Sequence, residues 1–234
     1  MAAKASRKPL SRERVLAAAV ALADAHGIQA LTMRRLADEL HVEAMSLYYH
    51  LRDKEALLDG VVETVIAEVD IAGLGVDGGD WRARLREQFL AARQVMLRHP
   101  WMPGLLGTRR TVPASVYAYY DSIVGTLVGA GFSYRLAHRA LHAFGSMPLG
   151  FVQEIFSPAS AGGNTEDEAA EADLAAMAEA LPHLTGMLAA EIHDLADPTL
   201  GWCDSQVEFE FTLDLLLDGL ERLRDRLPEG ESAR

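Results

Sequence analysis

A single cysteine, Cys203, stands in 234 residues, so neither an intrachain disulfide nor a thiolate metal cluster can hold this chain together. Aromatic residues make up only 7%, and no apolar stretch approaches the ~20 residues that a membrane span requires. The basic N-terminal residues Lys4, Arg7 and Lys8 are not followed by the apolar segment of a secretory signal. A cytoplasmic protein with no membrane partner is expected. Alternating strand-period runs and Asn-Gly hairpin signals are also lacking, which argues against an all-β fold. There is no G-x-S-x-G elbow, no Gly-rich phosphate loop and no metalloprotease H-E-x-x-H, and Cys203 has no base near it in sequence. An enzyme is not expected, and no cofactor is implied.

What is present is half apolar and 24% charged, close to the globular average, so the chain should bury a substantial core. Its net charge of −12 seems to argue against nucleic acid. The charge is unevenly placed. Residues 1–52 hold eight basic side chains against five acidic ones, a net of +3, which leaves −15 for the remainder. A basic head on an acidic body is the asymmetry expected of an anion-binding module.

Helix punctuation organises the chain. Ser11 caps a first helix, with Leu10 and Val15 as a hydrophobic staple and Glu13 in the first turn. Gly27 suits the αL position that ends it. Thr32 caps a second helix that runs to Leu40, and His41 falls where the chain must turn sharply. A third, short helix covers residues 43–50. Asp53 caps a fourth, along which Leu57, Leu58, Val61, Val62, Val65, Ile66 and Val69 form one apolar stripe. Four glycines in residues 71–80 mark a boundary. Further helices are expected near residues 81–99, 113–129, 134–155, 168–195 with a break at Pro182, and 205–226. The expected architecture is all-α: a three-helix head of residues 1–53, a connecting helix of 54–70, and a helical body of 71–234.

Three helices with a short, tightly capped third one form the helix-turn-helix pattern. Eight residues span ~12 Å of helix, which matches a B-DNA major groove ~12 Å wide. Val42 and Leu47 face inward, leaving Ala44, Met45, Ser46, Tyr48, Tyr49 and His50 to look outward or sideways. The bland reading of Tyr49 is an aromatic packed beneath the connecting helix.

Residues 31–61, LTMRRLADELHVEAMSLYYHLRDKEALLDGV, closely resemble the TetR family of transcriptional regulators. The body resembles the tetracycline-receptor-like C-terminal type in LRHPWMPGLLGTRR from Leu97, VGAGFS from Val128 and FEFTLDLLLDGLE from Phe209. The resemblance implies a regulator, most often a repressor, that binds a palindromic double-stranded DNA operator as a homodimer and is released by a small-molecule effector. The residues it assigns to the operator are Met33, Arg34, Ala44, Met45, Ser46, Tyr48, Tyr49, His50 and Lys54. Each fits its role: Met33 brings a helix N-terminal amide to phosphate, Tyr48, His50 and Lys54 offer donors, Arg34 suits guanine or phosphate, and Ala44, Met45 and Ser46 suit base edges. Two departures stand out. His41 occupies a turn position where the family often has glycine. Ala44 is too short for the bidentate adenine contact that a glutamine would make, so the operator sequence of the founding members does not carry over to this chain.

For the body the resemblance implies an effector cavity that draws on Phe89, Leu105, Thr108, Arg109, Tyr120, His138, Leu141, His142 and Met147. The founding members chelate a magnesium-tetracycline complex through a histidine where this chain has Leu105. Glu154 matches a carboxylate of that site but lacks this partner, so such a chelate is not expected. His138 and His142 stand at i, i+4 without a thiolate or carboxylate to complete a set, and no metal is assigned to them. The last helix is apolar on nearly all sides, which implies burial against a second copy. Phe209, Leu213, Leu216, Leu217 and Leu220 are the expected dimer contacts. The rival reading is a helical dimer that binds partner proteins without a small ligand.

Overall fold

The computed structural model describes residues 9–69, 80–151, 179–183, 185–186 and 205–226. Among them all regular structure is helical: α1 (Arg12–His26), a 3₁₀ turn (Ile28–Ala30), α2 (Met33–Leu40), α3 (Ala44–Tyr48), α4 (Lys54–Ile66), α5 (Trp81–Arg98), α6 (Met102–Gly107), α7 (Ala114–Gly129), α8 (Tyr134–Gly150) and α9 (Ser205–Asp225). No described helix is long and apolar enough to cross a membrane. The chain divides into two compact units, Met1–Val152 with Leu216–Arg234, and Gln153–Leu215. Cys203, Glu154, Lys4, Arg7, Lys8, the glycine-rich boundary at 71–79 and most of the helix expected over 168–195 lie outside the described residues.

Side-chain caps set the helix starts. Ser11, Thr32 and Asp53 accept hydrogen bonds from the amides of Arg14, Arg35 and Ala56, at 3.2, 3.2 and 2.8 Å. Each satisfies a donor that the first helical turn cannot. Asp80 does the same for α5 through the amides of Arg82 and Ala83. His41 takes the left-handed conformation, φ 55° and ψ 47°, and closes α2. Histidine tolerates that region better than most non-glycine residues. Gly27 departs from the αL expectation: its φ is 79° but its ψ is 156°, an extended mirror-image conformation that is open essentially to glycine alone. Two further differences concern short elements. Helix α3 covers five residues rather than eight, and α6 was not anticipated, because Trp101 to Thr108 carries two glycines and a proline. In the described part of residues 168–195 the helix breaks at Leu181, directly before Pro182.

The head packs around Val15, Ala19, Ala23, Leu31, Leu36, Leu47, Leu57 and Val61, all essentially inaccessible to solvent. Helices α1 and α4 approach closely at Gly60, where a β-carbon would stand 2.7 Å from Leu16 Cδ2. An ion pair from Arg12 to Glu63, 3.1 Å, ties the same two helices. The body core holds Leu85, Phe89, Met102, Ile123, Leu127, Phe132 and Phe144, with the Phe89 and Phe144 rings stacked at 5.0 Å. Near the end of α9, Arg224 lies over the rings of Trp81 and Phe132, and Asp218 pairs with Arg82 at 2.5 Å.

Candidate nucleic-acid interface and effector pocket

A five-residue helix cannot persist alone, since nucleation costs more than so few hydrogen bonds return. Helix α3 is held by one fully buried side chain, Leu47, and by the turn at His41 before it. Everything else on it faces outward or sideways. Met45 is 69% exposed, Tyr48 43% and the adjoining Tyr49 87%, while Ala44, Ser46 and His50 are half-buried. Tyr49 is therefore not an aromatic packed beneath α4. Arg34 on α2 and Lys54 at the start of α4 are exposed, and Met33 opens α2 with its amide in the unsatisfied first turn. The nine residues expected at an operator thus come to the surface on α2, on α3 and the turn after it, and on the first turn of α4.

One apolar recess, open to solvent on one side, lies in the body. Phe89, Ala92 and Met96 line it from α5, Val116, Tyr119 and Tyr120 from α7, and Gly145, Pro148 and Leu149 from α8. Leu106 of α6, Ile66 at the end of α4 and Val69 just beyond it complete the wall. Of the nine residues expected to bind an effector, Phe89 and Tyr120 line this recess. Leu105 and Met147 are buried and Leu141 is half-buried, but none of the three faces it. Thr108 is exposed and donates to the Leu105 carbonyl at 2.7 Å. His138 and His142 sit on the exposed side of α8, with their Nε2 atoms 3.2 Å apart. By spacing, positions 138, 142, 145 and 149 of α8 share one helical face, and the recess takes only the C-terminal end of that stripe, with Pro148 beside it. Tyr119, which was not among the nine, also lines the recess. Its phenol is buried and burial pushes its pKa up, so it stays a neutral donor at any ordinary pH.

Arg109, also expected at the effector site, is not among the residues that line the recess. Its side chain is 5% exposed and pairs with Glu55 and, at 3.5 Å, with Asp59, so it joins the segment after α6 to the first turns of α4. A second polar cluster joins head to body at the other end of α4. His99, buried after α5, lies with Nδ1 2.7 Å from Asp24 of α1 and Nε2 3.2 Å from Glu68. The Trp101 indole donates to Asp24 at 2.8 Å and Arg98 donates to Glu68 at 2.7 Å. Burial pushes the Glu68 carboxyl up, but the hydrogen bonds from Arg98 and His99 outweigh it and hold the group below the usual carboxylate value. Nothing in the sequence signalled this cluster, because its members come from three separated segments.

The expected dimer residues also fall differently. Phe209, Leu213, Leu217 and Leu220 are buried within the single protomer and Leu216 is half-buried. The face of α9 left apolar and exposed is Val207, Phe211, Leu215 and Leu223, between 51% and 62% accessible, with Gly219 in the same i, i+4 row. A helix apolar on all sides gives no sign in sequence of which side its own chain covers.

Known proteins share both halves of this arrangement. Residues 15–61 match the family model for bacterial regulatory proteins of the tetR family, and residues 75–224 match the tetracyclin repressor-like C-terminal domain. The tetracycline repressor protein class G of Vibrio anguillarum is 29% identical over 221 residues, covering 92% of this chain and 95% of that protein. An HTH-type transcriptional regulator of Saccharopolyspora erythraea is 36% identical over 127 residues, and this match spans about half of either protein (53% and 52%). Among solved structures, a possible TetR family transcriptional regulator from Streptomyces coelicolor A3(2) superposes with a TM-score of 0.69 at 31% identity, over 91% of this chain and all of that one. The Streptomyces coelicolor TetR family protein ActR in complex with actinorhodin gives 0.68 at 25% identity, over 93% and 99%. With its helix-turn-helix head and helical body matched over most of its length, the chain belongs to the TetR family of transcriptional regulators.

Proposed function

We propose that this protein represses transcription by binding a palindromic operator as a homodimer and that an apolar small molecule releases it. The observation that carries this reading is that one helix serves both ends. The first turn of α4 presents Lys54 beside α3, and its far end supplies Ile66, with Val69 just beyond it, to the pocket wall. A molecule in the recess presses on α4 and on Leu106 of α6 together. The head follows α4, because the close approach at Gly60 and the Arg12–Glu63 pair fix α1 to it. Similar proteins have been solved in complex with small molecules, ActR with actinorhodin among them, which supports a small-molecule effector for this chain. The recess also favours this reading over a dimer that acts through partner proteins alone.

In the dimer two copies of α3 enter successive major grooves, with half-sites ~34 to 36 Å apart. Tyr48, His50, Arg34 and Lys54 engage phosphates or guanine, and Met45, Ala44 and Ser46 meet base edges and thymine methyls. The exposed i, i+4 row on α9 is the self-complementary surface that a twofold interface needs. To shift the dimer from 99:1 to 1:99 in favour of the released form, an effector must prefer that form by ~5.5 kcal/mol. The test is selection of bound sequences from random DNA by the full chain, followed by anisotropy titration of the recovered site. Recovery of an inverted repeat with nanomolar affinity is expected, and failure to enrich any sequence would overturn the proposal.

A further inference from the structure

The paired histidines of α8 have a geometry that the effector pocket does not use. His138 and His142 project from the interior of a 17-residue helix, so their β-carbons are fixed one turn apart on an exposed face. The rings stand edge to face, centroids 4.7 Å apart, and present the same nitrogen to each other, Nε2 to Nε2 at 3.2 Å. Two imidazole nitrogens at ~2.05 Å from one ion stand ~2.9 Å apart at a right angle and ~3.3 Å apart at the tetrahedral angle. The observed separation falls between these limits. In the metal-free protein one ring donates its proton to the other, and a cation can take the place of that proton with small side-chain rotations.

We propose that His138 and His142 chelate a divalent first-row transition ion of the kind that prefers nitrogen: zinc, nickel or copper. The donor set selects against magnesium and calcium, which require oxygen ligands. Among the described residues no group of three or more histidine, cysteine or acidic side chains is placed to hold an ion, so the pair is proposed as a two-nitrogen chelate whose other ligands are water or the same pair from a second copy. Arg135 and Arg139, one turn before and next to His138, add positive charge to this face, and binding therefore relies on imidazole coordination rather than on general attraction of cations. The chelate stands on one helix and does not depend on the operator or effector reading.

The test uses the full chain without an affinity tag, stripped with chelator and titrated calorimetrically with ZnCl₂. Saturation at one ion per chain is expected, or at one per two chains where two copies share an ion. Single substitutions His138→Ala and His142→Ala should each weaken binding at least tenfold, while unfolding temperatures in chelator stay within about 1 °C of the parent, since both side chains are exposed. MgCl₂ should give no saturable heat. Zinc binding of equal strength in the parent and both variants, absence of binding up to 1 mM zinc, or an equal response to magnesium would each overturn the assignment.

Discussion

The Asp24 carboxylate and the His99 imidazole, 75 residues apart in sequence, meet at 2.7 Å where the DNA-binding head touches the effector-binding body. Asp24 also accepts from the Trp101 indole, and His99 reaches on to Glu68, so one buried ring connects α1, the segment after α4 and the segment after α5. Removing Asp24 leaves a buried imidazole and an indole N–H without their acceptor. Asp24→Ala should lower stability by about 1 to 3 kcal/mol in urea unfolding. A double-mutant cycle with His99→Gln should show strong coupling, since the two changes disrupt one network. Simple additivity would mean that the contact contributes nothing beyond its separate parts.

The same cluster gives stability a pH dependence. Glu68 in the folded chain lies below its usual value of 4.5, so its contribution is fully present above that value and is lost as pH falls through the lowered one. Between neutral pH and pH 5 this group should leave stability unchanged. Below pH 4 the parent should lose stability faster than Glu68→Gln, a variant that has already forfeited the charged pair. Parallel acid-unfolding curves for the two proteins would contradict this.

At the DNA surface the substitutions should separate by type. Arg34→Ala and Lys54→Ala should weaken operator binding at every salt concentration, and each lost phosphate contact should reduce the slope of log K against log salt by about 0.9. Met45→Ala should instead alter which base is preferred, with little change in slope. Anisotropy titrations on the selected operator and on single-base variants distinguish the two classes.

Dimerisation should depend on the exposed row of α9 and not on its buried one. Phe211→Glu is expected to give a folded monomer at micromolar concentration in sedimentation, because Phe211 is 62% exposed in the protomer. Phe209→Glu should disrupt folding itself, since Phe209 is fully buried. A stable dimer in the Phe211 variant would place the interface elsewhere.

Effector response should be removable without loss of operator binding. Ala92 lines the recess from α5, and Ala92→Leu would fill part of it. This variant should bind operator with the parent's affinity within about threefold and fail to release when an inducing compound is added.

Much of the head was legible because its signals are local. Ser11, Thr32 and Asp53 announce helix starts by side-chain chemistry, and the residues that the resemblance over 31–61 assigns to an operator lie on the outer side of that head. The body was legible as helices but not as sites. Whether Leu106 or Leu105 faces a cavity depends on the rotation of α6, a six-residue helix whose glycine and proline content conceals its period. Arg109 carries the charge that an effector site could use, yet it turns to Glu55 and Asp59, which lie about fifty residues earlier in the chain. The outward direction of His138 and His142 depends on which side of α8 its neighbours occupy. These are properties of packing between elements, which residue type and spacing do not encode.

Leu47 is the one fully buried side chain of helix α3, and this has a consequence for genetics. Loss-of-repression alleles selected at random should include Leu47 alongside Tyr48. Tyr48 would be lost through its own contact, Leu47 through misplacement of its neighbours. A map of such alleles would therefore mark an operator footprint larger than the true one. Temperature would separate the two groups: cooling should restore a misplaced helix, but it cannot restore an absent hydroxyl.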